Sequence, residues 1–276
     1  MVKKADSLSE VTLSQVLAKL LLSLTLLAFI LSAWLFVSWL YKPGNFPVRK
    51  LELVNKLENQ ESSELIKVAD SVLNGGFFSL NIKQFRADLL AKLPWVKSVS
   101  VRKIWPNKLM LSITEHKPIV RWLSVKQLMT TQGKEQKGAH TVKGSELLSR
   151  EGIIFRPDLT PEQQTYFDNL VLLTGPENSA GNVLQNCFQI KDILQQLETG
   201  IKQCGMNERR TWMILLHNGI DIKLGKENIL RQLERFVWVF SGQLRQYINS
   251  VDYADLRYSN GFSIRWNPEN AVQSSD

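Results

Sequence analysis

A run of about 22 residues from Leu20 to Tyr41 contains no Asp, Glu, Lys or Arg, and it constrains this chain more than any other feature. At about 1.5 Å rise per residue, a helix of that length reaches roughly 33 Å, enough to cross the hydrocarbon core of a bilayer. A helix also satisfies its backbone polar groups internally, as lipid requires. Trp34, Trp39 and Tyr41 crowd its C-terminal half, and Trp39 and Tyr41 suit a membrane interface. A cleaved signal peptide has a shorter apolar stretch and ends at a small-x-small site. Here the exit reads Ser38-Trp39-Leu40-Tyr41-Lys42-Pro43. No comparable apolar partner occurs elsewhere in the chain, which argues against a buried core helix. The run is therefore read as an uncleaved transmembrane helix over residues 20–41, preceded by a tail of residues 1–19. Lys3, Lys4 and Lys19 before it balance Lys42, Arg49 and Lys50 after it, so charge alone does not orient the span. The short tail and large C-terminal region favour tail inside and domain outside, which in a bacterium means the periplasm.

The formal charge of +8 is unevenly placed. Residues 42–118 carry 13 basic and 7 acidic side chains, a net +6, whereas residues 119–276 carry 18 and 17, a net +1. The basic excess lies next to the span. It fits attraction to anionic lipid or an ordinary solvated face. Nucleic-acid binding lacks support, because no aromatic-interleaved basic motif or groove-reading helix is visible. The two cysteines, Cys187 and Cys204, form no C-x-x-C motif, and three scattered histidines offer no metal spacing. Cys187 falls on the apolar face of a predicted helix, so a buried thiol is the leading expectation. A disulfide to Cys204 is the alternative for a periplasmic domain.

The soluble part suits two domains in an α+β class. Residues 46–117 read as β-α-α-β-β. A strand over 48–54 is followed by a helix capped near Ser62-Ser63 and stopped by Asn74-Gly75-Gly76. A second helix starts at Asn81, with Gln84 completing a capping box. The last two strands place Val99 and Val101, then Leu109, Leu111 and Ile113, on one face across a Trp105-Pro106-Asn107 turn. Residues 126–146 turn polar and read as an exposed loop or insertion. A mixed β domain with two helices follows, the domain as a whole spanning 118–267. Its helices carry Val183, Leu184, Cys187, Ile190 and Leu194, then Ile229, Leu233, Phe236, Val237 and Phe240. Residues 268–276 are expected to be disordered.

No chemistry-bearing motif emerges: there is no G-x-S-x-G, Ser-x-x-Lys, H-E-x-x-H or Walker loop. Glu115 and His116 are adjacent on a strand end and so point to opposite faces. The same holds for Asp252 and Asp255. These observations imply neither a cofactor nor a metal. What stands out is the final hairpin, where Phe262, Ile264 and Trp266 alternate with Ser263 and Arg265. A C-terminal strand is often an edge strand, whose outer row of backbone groups lacks partners and is open to strand addition. An ordinary edge blunted by Arg265 is the alternative.

Several motifs, in order, carry a resemblance. They are Leu93-Pro94-Trp95-Val96, Trp105-Pro106-Asn107-Lys108-Leu109, the stretch from Glu115 to Trp122, Leu173-Thr174-Gly175-Pro176, Arg209-Arg210-Thr211-Trp212, and Tyr253-Ala254-Asp255-Leu256-Arg257-Tyr258. With them the chain resembles the bacterial FtsQ/DivIB cell-division family: cytoplasmic tail, one span, POTRA domain, β domain. The resemblance implies a periplasmic β domain in the inner membrane at the division septum, and a non-enzymatic divisome role. It implies binding of FtsB, and through it FtsL, by β-strand addition, and docking of other division proteins on the POTRA domain. The surface it implies for FtsB is Tyr258, Ser259, Asn260, Gly261, Phe262, Ser263 and Trp266, with Arg257 and Arg209 as ion-pair partners. A POTRA-bearing outer-membrane transporter is disfavoured, because the second domain holds too few alternating segments for a barrel. The remaining alternative is a membrane-anchored periplasmic cell-wall enzyme.

Overall fold

The computed structural model describes residues 3–132, 146–242 and 244–267. Two compact units divide at Glu115 and His116.

The first unit opens with α1 (Lys3–Tyr41), a continuous helix that begins well before the apolar run. Its segment Gln15–Tyr41 is long and apolar enough to span a bilayer, and none of it is buried against the protein. That exposure excludes a core helix. The hydroxyls of Ser23, Thr25 and Ser32 donate to carbonyls three residues earlier, at 2.8, 2.9 and 2.8 Å, so these three hydroxyls are satisfied within the helix itself.

Beyond it come β1 (Lys50–Leu53), α2 (Ser62–Ser71), α3 (Ile82–Lys92), β2 (Val96–Ile104) and β3 (Lys108–Glu115). The three strands form a sheet in the order β1-β3-β2, with β1 parallel and β2 antiparallel to β3. Val99 and Val101 face Leu109, Leu111 and Ile113 across one face, and Leu65, Ala69, Phe85 and Leu89 of the helices cover it. The sequence expectation for these elements holds, with three local corrections. The N-cap of α2 is Glu61, which makes no side-chain cap, so Ser62 and Ser63 lie inside the helix. The helix ends at Ser71, before Asn74-Gly75-Gly76. Gly76 instead makes room for the membrane linker, since a Cβ there would lie 2.8 Å from the Phe46 carbonyl oxygen. Asn81 does cap α3, accepting from Lys83 and Gln84 N–H, but the Gln84 side chain turns to Asp88 and no capping box forms.

The second unit contains β4 (Pro118–Ser124), α4 (Val125–Gln132), β5 (Glu146–Ser149), β6 (Ile154–Phe155), α5 (Pro161–Asp168), β7 (Leu172–Gly175), α6 (Ala180–Leu194), β8 (Ile201–Met206), β9 (Trp212–Leu216), β10 (Asp221–Gly225), α7 (Ile229–Ser241), β11 (Val251–Asp255) and β12 (Ser263–Trp266). Among the described residues its nine strands form one mixed sheet, in the order β12-β11-β10-β9-β8-β7-β4-β5-β6. The two expected helices are α6 and α7, and two shorter ones join them. The start of the polar stretch expected as a loop is the helix α4; residues 133–145 and the tail 268–276 lie outside the described residues. The helix α5 carries a full capping box from Thr160 and Gln163 with Pro161 in its first turn, a start signal that the sequence reading passed over.

The core of this unit sits between the sheet and the apolar faces of α6 and α7, with Leu173, Ile214, Ile222 and Ala254 facing Val183, Ile190, Leu233 and Phe236. Here the thiol expectation is corrected: Cys187 of α6 and Cys204 of β8 form a disulfide, with Cα atoms 6.2 Å apart. The same apolar stripe that buries Cys187 presses α6 onto the sheet, where Cys204 points up to meet it. Arg121 is buried on β4 and donates to Asp168 at 3.1 Å and to the Leu170 carbonyl at 3.3 Å, which ties α5 and the chain entering β7 to the sheet. Burial lowers the Arg121 pKa, and Asp168 opposes that shift.

Candidate functional site: an open strand edge

The strand β12 pairs antiparallel with β11 and ends the sheet; among the described residues no strand covers its outer side. Which backbone groups face outward follows from two hydrogen bonds. Leu256 N–H donates to the Lys223 carbonyl of β10 at 2.8 Å, so Tyr253 and Asp255 turn their backbone groups the other way, toward β12. Their partners there are Arg265 and Ser263. On the same alternation, Asn267 N–H reaches the Ser250 carbonyl at 2.7 Å. Ser263 and Arg265 therefore bond inward, and Ile264 and Trp266 present N–H and C=O to solvent. The irregularity in this ladder falls at Asp252 of β11, so the alternation along β12 is unbroken.

The side chains divide as their spacing predicts. Phe262 and Ile264 are half-buried on the core face. The Phe262 ring lies edge-on to Phe236, with centroids 5.6 Å apart. Trp266 is 44% exposed, with its ring 6.4 Å from both Phe240 and Tyr247. On the opposite face, Arg265 donates to Asp252 at 2.7 Å and lies over the Tyr253 ring, which Lys223 also approaches. The charge that could blunt this edge is thus paired within the sheet.

Arg257 has a partner of its own. Its guanidinium grips Asp255 through Nε at 2.8 Å and Nη2 at 2.6 Å, and its backbone N–H reaches the same carboxylate at 3.2 Å. These bonds hold the buried Asp255 carboxyl below its ordinary pKa and raise that of Arg257. The fork is fixed in place by the protein while about half of the side chain stays exposed. On the neighbouring strand, burial pushes the Asp221 pKa up against the pull of Lys223 and Arg265.

Tyr258 is exposed at the start of the turn, and Ser259 and Asn260 follow it at the surface. The Ser259 carbonyl accepts from Arg235 of α7 at 2.9 Å. Gly261 leads into Phe262. Arg209 sits in the β8–β9 turn, where Asn207 accepts its N–H at 2.9 Å. That turn lies at the same end of the sheet, because Trp212 pairs with Gly225, and Gly225 lies against Arg257. Beside it is a polar cleft of about 1090 Å³, walled by Lys226, Arg231, Arg235 and Arg257 with Glu227 as its carboxylate. The sequence reading missed Lys226, Arg231 and Arg235. The i, i+4 spacing of Arg231 and Arg235 on α7 was the available signal.

The fold and this edge define a class: a single-span membrane protein with a POTRA module and a β domain that ends in an open strand. Residues 46–116 match the FtsQ-type POTRA domain, and residues 139–257 match the cell division protein FtsQ/DivIB C-terminal domain. The cell division protein FtsQ of Coxiella burnetii is 32% identical over 226 residues, covering 82% of this chain and 83% of that protein. The FtsQ of Neisseria meningitidis is 27% identical over 82% of this chain and 85% of its own length. That of Escherichia coli is 29% identical over 70% of this chain and 63% of its own length. The chain belongs to the FtsQ/DivIB family of cell-division proteins.

Proposed function

We propose that this protein is a non-enzymatic divisome scaffold that binds FtsB, and through it FtsL, by adding an FtsB strand to the outer side of β12. The single observation that carries this reading is the free edge of β12, with the backbone groups of Ile264 and Trp266 turned outward. Such an edge supplies main-chain bonds for affinity and flanking side chains for selectivity. Trp266 and Tyr258 are the exposed aromatic anchors, and Phe262 backs them from within the core. Arg257 and Arg209, with the basic cleft between α7 and the β11–β12 turn, suit an acidic stretch of the partner. Because Asp255 already holds Arg257, an FtsB carboxylate would add to that pair rather than create it. The β domain is placed in the periplasm, a reading supported by the Cys187–Cys204 disulfide, since such bonds persist in oxidising compartments. The POTRA domain serves as a docking module for other division proteins.

The test is photocrosslinking in dividing cells from probes at positions 258, 264 and 266, with the captured chain identified by mass spectrometry. FtsB is the expected product. Crosslinks to a different protein, or none at all from a chain that still localises to the septum, would sink the reading.

A further inference from the structure

Three segments of the first unit converge where α1 leaves the membrane. Phe46 folds back on Trp39 in the last turn of the helix, with ring centroids 5.6 Å apart, and meets Phe78 edge-on at 5.2 Å. The linker backbone is pinned as well: Asn45 Nδ2 donates to the Trp39 carbonyl at 2.6 Å, and Phe77 N–H to the Phe46 carbonyl at 2.7 Å. Lys103, near the end of β2, donates to the Leu80 carbonyl at 3.1 Å and stands over the Phe77 ring. Arg49 N–H donates to the Asn107 carbonyl at 2.9 Å, so the β2–β3 turn joins the same end of the domain. Arg49 is three positions on from Phe46, a stretch that spans at most about 11 Å. The turn is therefore held close to the helix exit.

At the tip of that turn is Trp105, 72% exposed. Beside it, residues 42–50 contribute Lys42, Arg49 and Lys50, all exposed, and no carboxylate. Among the described residues none of these three cations is ion-paired, whereas Lys108 is matched by Glu52 at 3.0 Å. A large aromatic ring is an expensive group to leave in water. An indole beside unpaired cations, a few residues from a transmembrane helix, matches the chemistry of an interfacial anchor.

We infer that this end of the POTRA domain is a second membrane contact, in which Lys42, Arg49 and Lys50 engage anionic phospholipid headgroups and Trp105 seats at the interface. The linker is thus a rigid strut, and lipid contact sets the tilt of the domain on the bilayer. The inference is independent of the C-terminal edge.

The test uses the full chain in nanodiscs with brominated lipids, comparing the parent with Trp105→Phe. The difference in emission isolates one tryptophan of eight. In discs containing about one third brominated phosphatidylglycerol, which gives the surface a negative potential, that component is expected to be blue-shifted, quenched by lipid and shielded from acrylamide. In discs of brominated phosphatidylcholine alone it should be red-shifted and open to acrylamide. The triple variant Lys42→Gln/Arg49→Gln/Lys50→Gln should behave in anionic discs as the parent does in neutral ones, with an unchanged unfolding transition. Acrylamide access in both compositions overturns the proposal. Equal lipid quenching in both, or quenching that survives the triple variant, overturns the anionic-headgroup recognition it asserts.

Discussion

In the POTRA sheet the outer strand β2 runs nine residues and carries Lys97, Arg102 and Lys103 along its length, whereas β12 of the large sheet runs four residues and carries only Arg265. Both are sheet edges. The long one is guarded by charge, since pairing it with another strand would bring lysine and arginine into a ladder. The short one has its cation taken by Asp252 and is flanked by aromatic side chains. At the far end of the large sheet, β6 is two residues long and offers almost no ladder. Of the four sheet edges, β2 is lined with charge, β1 carries Lys50 and Glu52, β6 is two residues long, and β12 has its one cation paired internally, which is why the proposed strand addition falls at β12.

The largest effect we expect separates the two units by stability. The β domain is stapled between α6 and β8 and the POTRA domain holds no cysteine. Closing a loop of this size is worth about 3 kcal/mol. Replacing both Cys187 and Cys204 with Ser should lower the β-domain unfolding midpoint in denaturant and leave the POTRA transition in place. A shift of both transitions together would break the comparison.

Next, Trp266→Ala should weaken FtsB binding by roughly 1–3 kcal/mol in a calorimetric titration, within the range of an interface hot spot. Trp105→Ala, on the other sheet, should leave that affinity unchanged. Phe262→Ala is less clean as a probe, because its ring is packed on Phe236 and its loss also opens the core.

A proline pair sharpens the register. Ile264→Pro removes an outward N–H, a position where an edge strand tolerates proline. Relative to Ile264→Ala it should cost about 1 kcal/mol of partner binding, the worth of one ladder bond, with little change in folding. Ser263→Pro removes an inward donor and should destabilise β12 itself, visible as faster amide exchange at Asp255 and Tyr253. The opposite pattern would reverse the assigned register.

The smallest effect is acid-linked. Arg257 depresses the Asp255 pKa in the folded state, so the ionised form stabilises the fold. That contribution is complete above the unfolded carboxylate value of about 3.9 and is lost as pH falls through the lower folded value. Asp255→Asn should therefore flatten the acid limb of the stability curve, and a limb of unchanged steepness would remove the pair from the account.

The two units also differed in how much of them could be read in advance. The POTRA strands β2 and β3 face solvent on one side, so Val99, Val101, Leu109, Leu111 and Ile113 alternate with polar residues and declare themselves. In the large sheet β4, β7 and β8 run through the middle, and five consecutive residues of β4, from Val120 to Ser124, are buried. Strands covered on both sides lose their alternation, and β4 carries no alternating signal for that reason. The exposed site residues Tyr258, Ser259, Asn260 and Trp266 were legible as a turn followed by an alternating strand. The Arg265–Asp252 pair was not, because the two meet only when β12 folds back on β11, whereas Arg257 lies two positions from Asp255 and that spacing alone offered their pairing.

Sequence alone determined the membrane helix, the β-α-α-β-β order and the alternation of Phe262, Ile264 and Trp266, since each rests on local periodicity. Tertiary structure alone decided that β12 lies at the sheet margin, that Ile264 rather than Ser263 turns its N–H outward, and that Cys187 meets Cys204. Those outcomes depend on which distant segments pack side by side, and spacing along the chain carries no record of that.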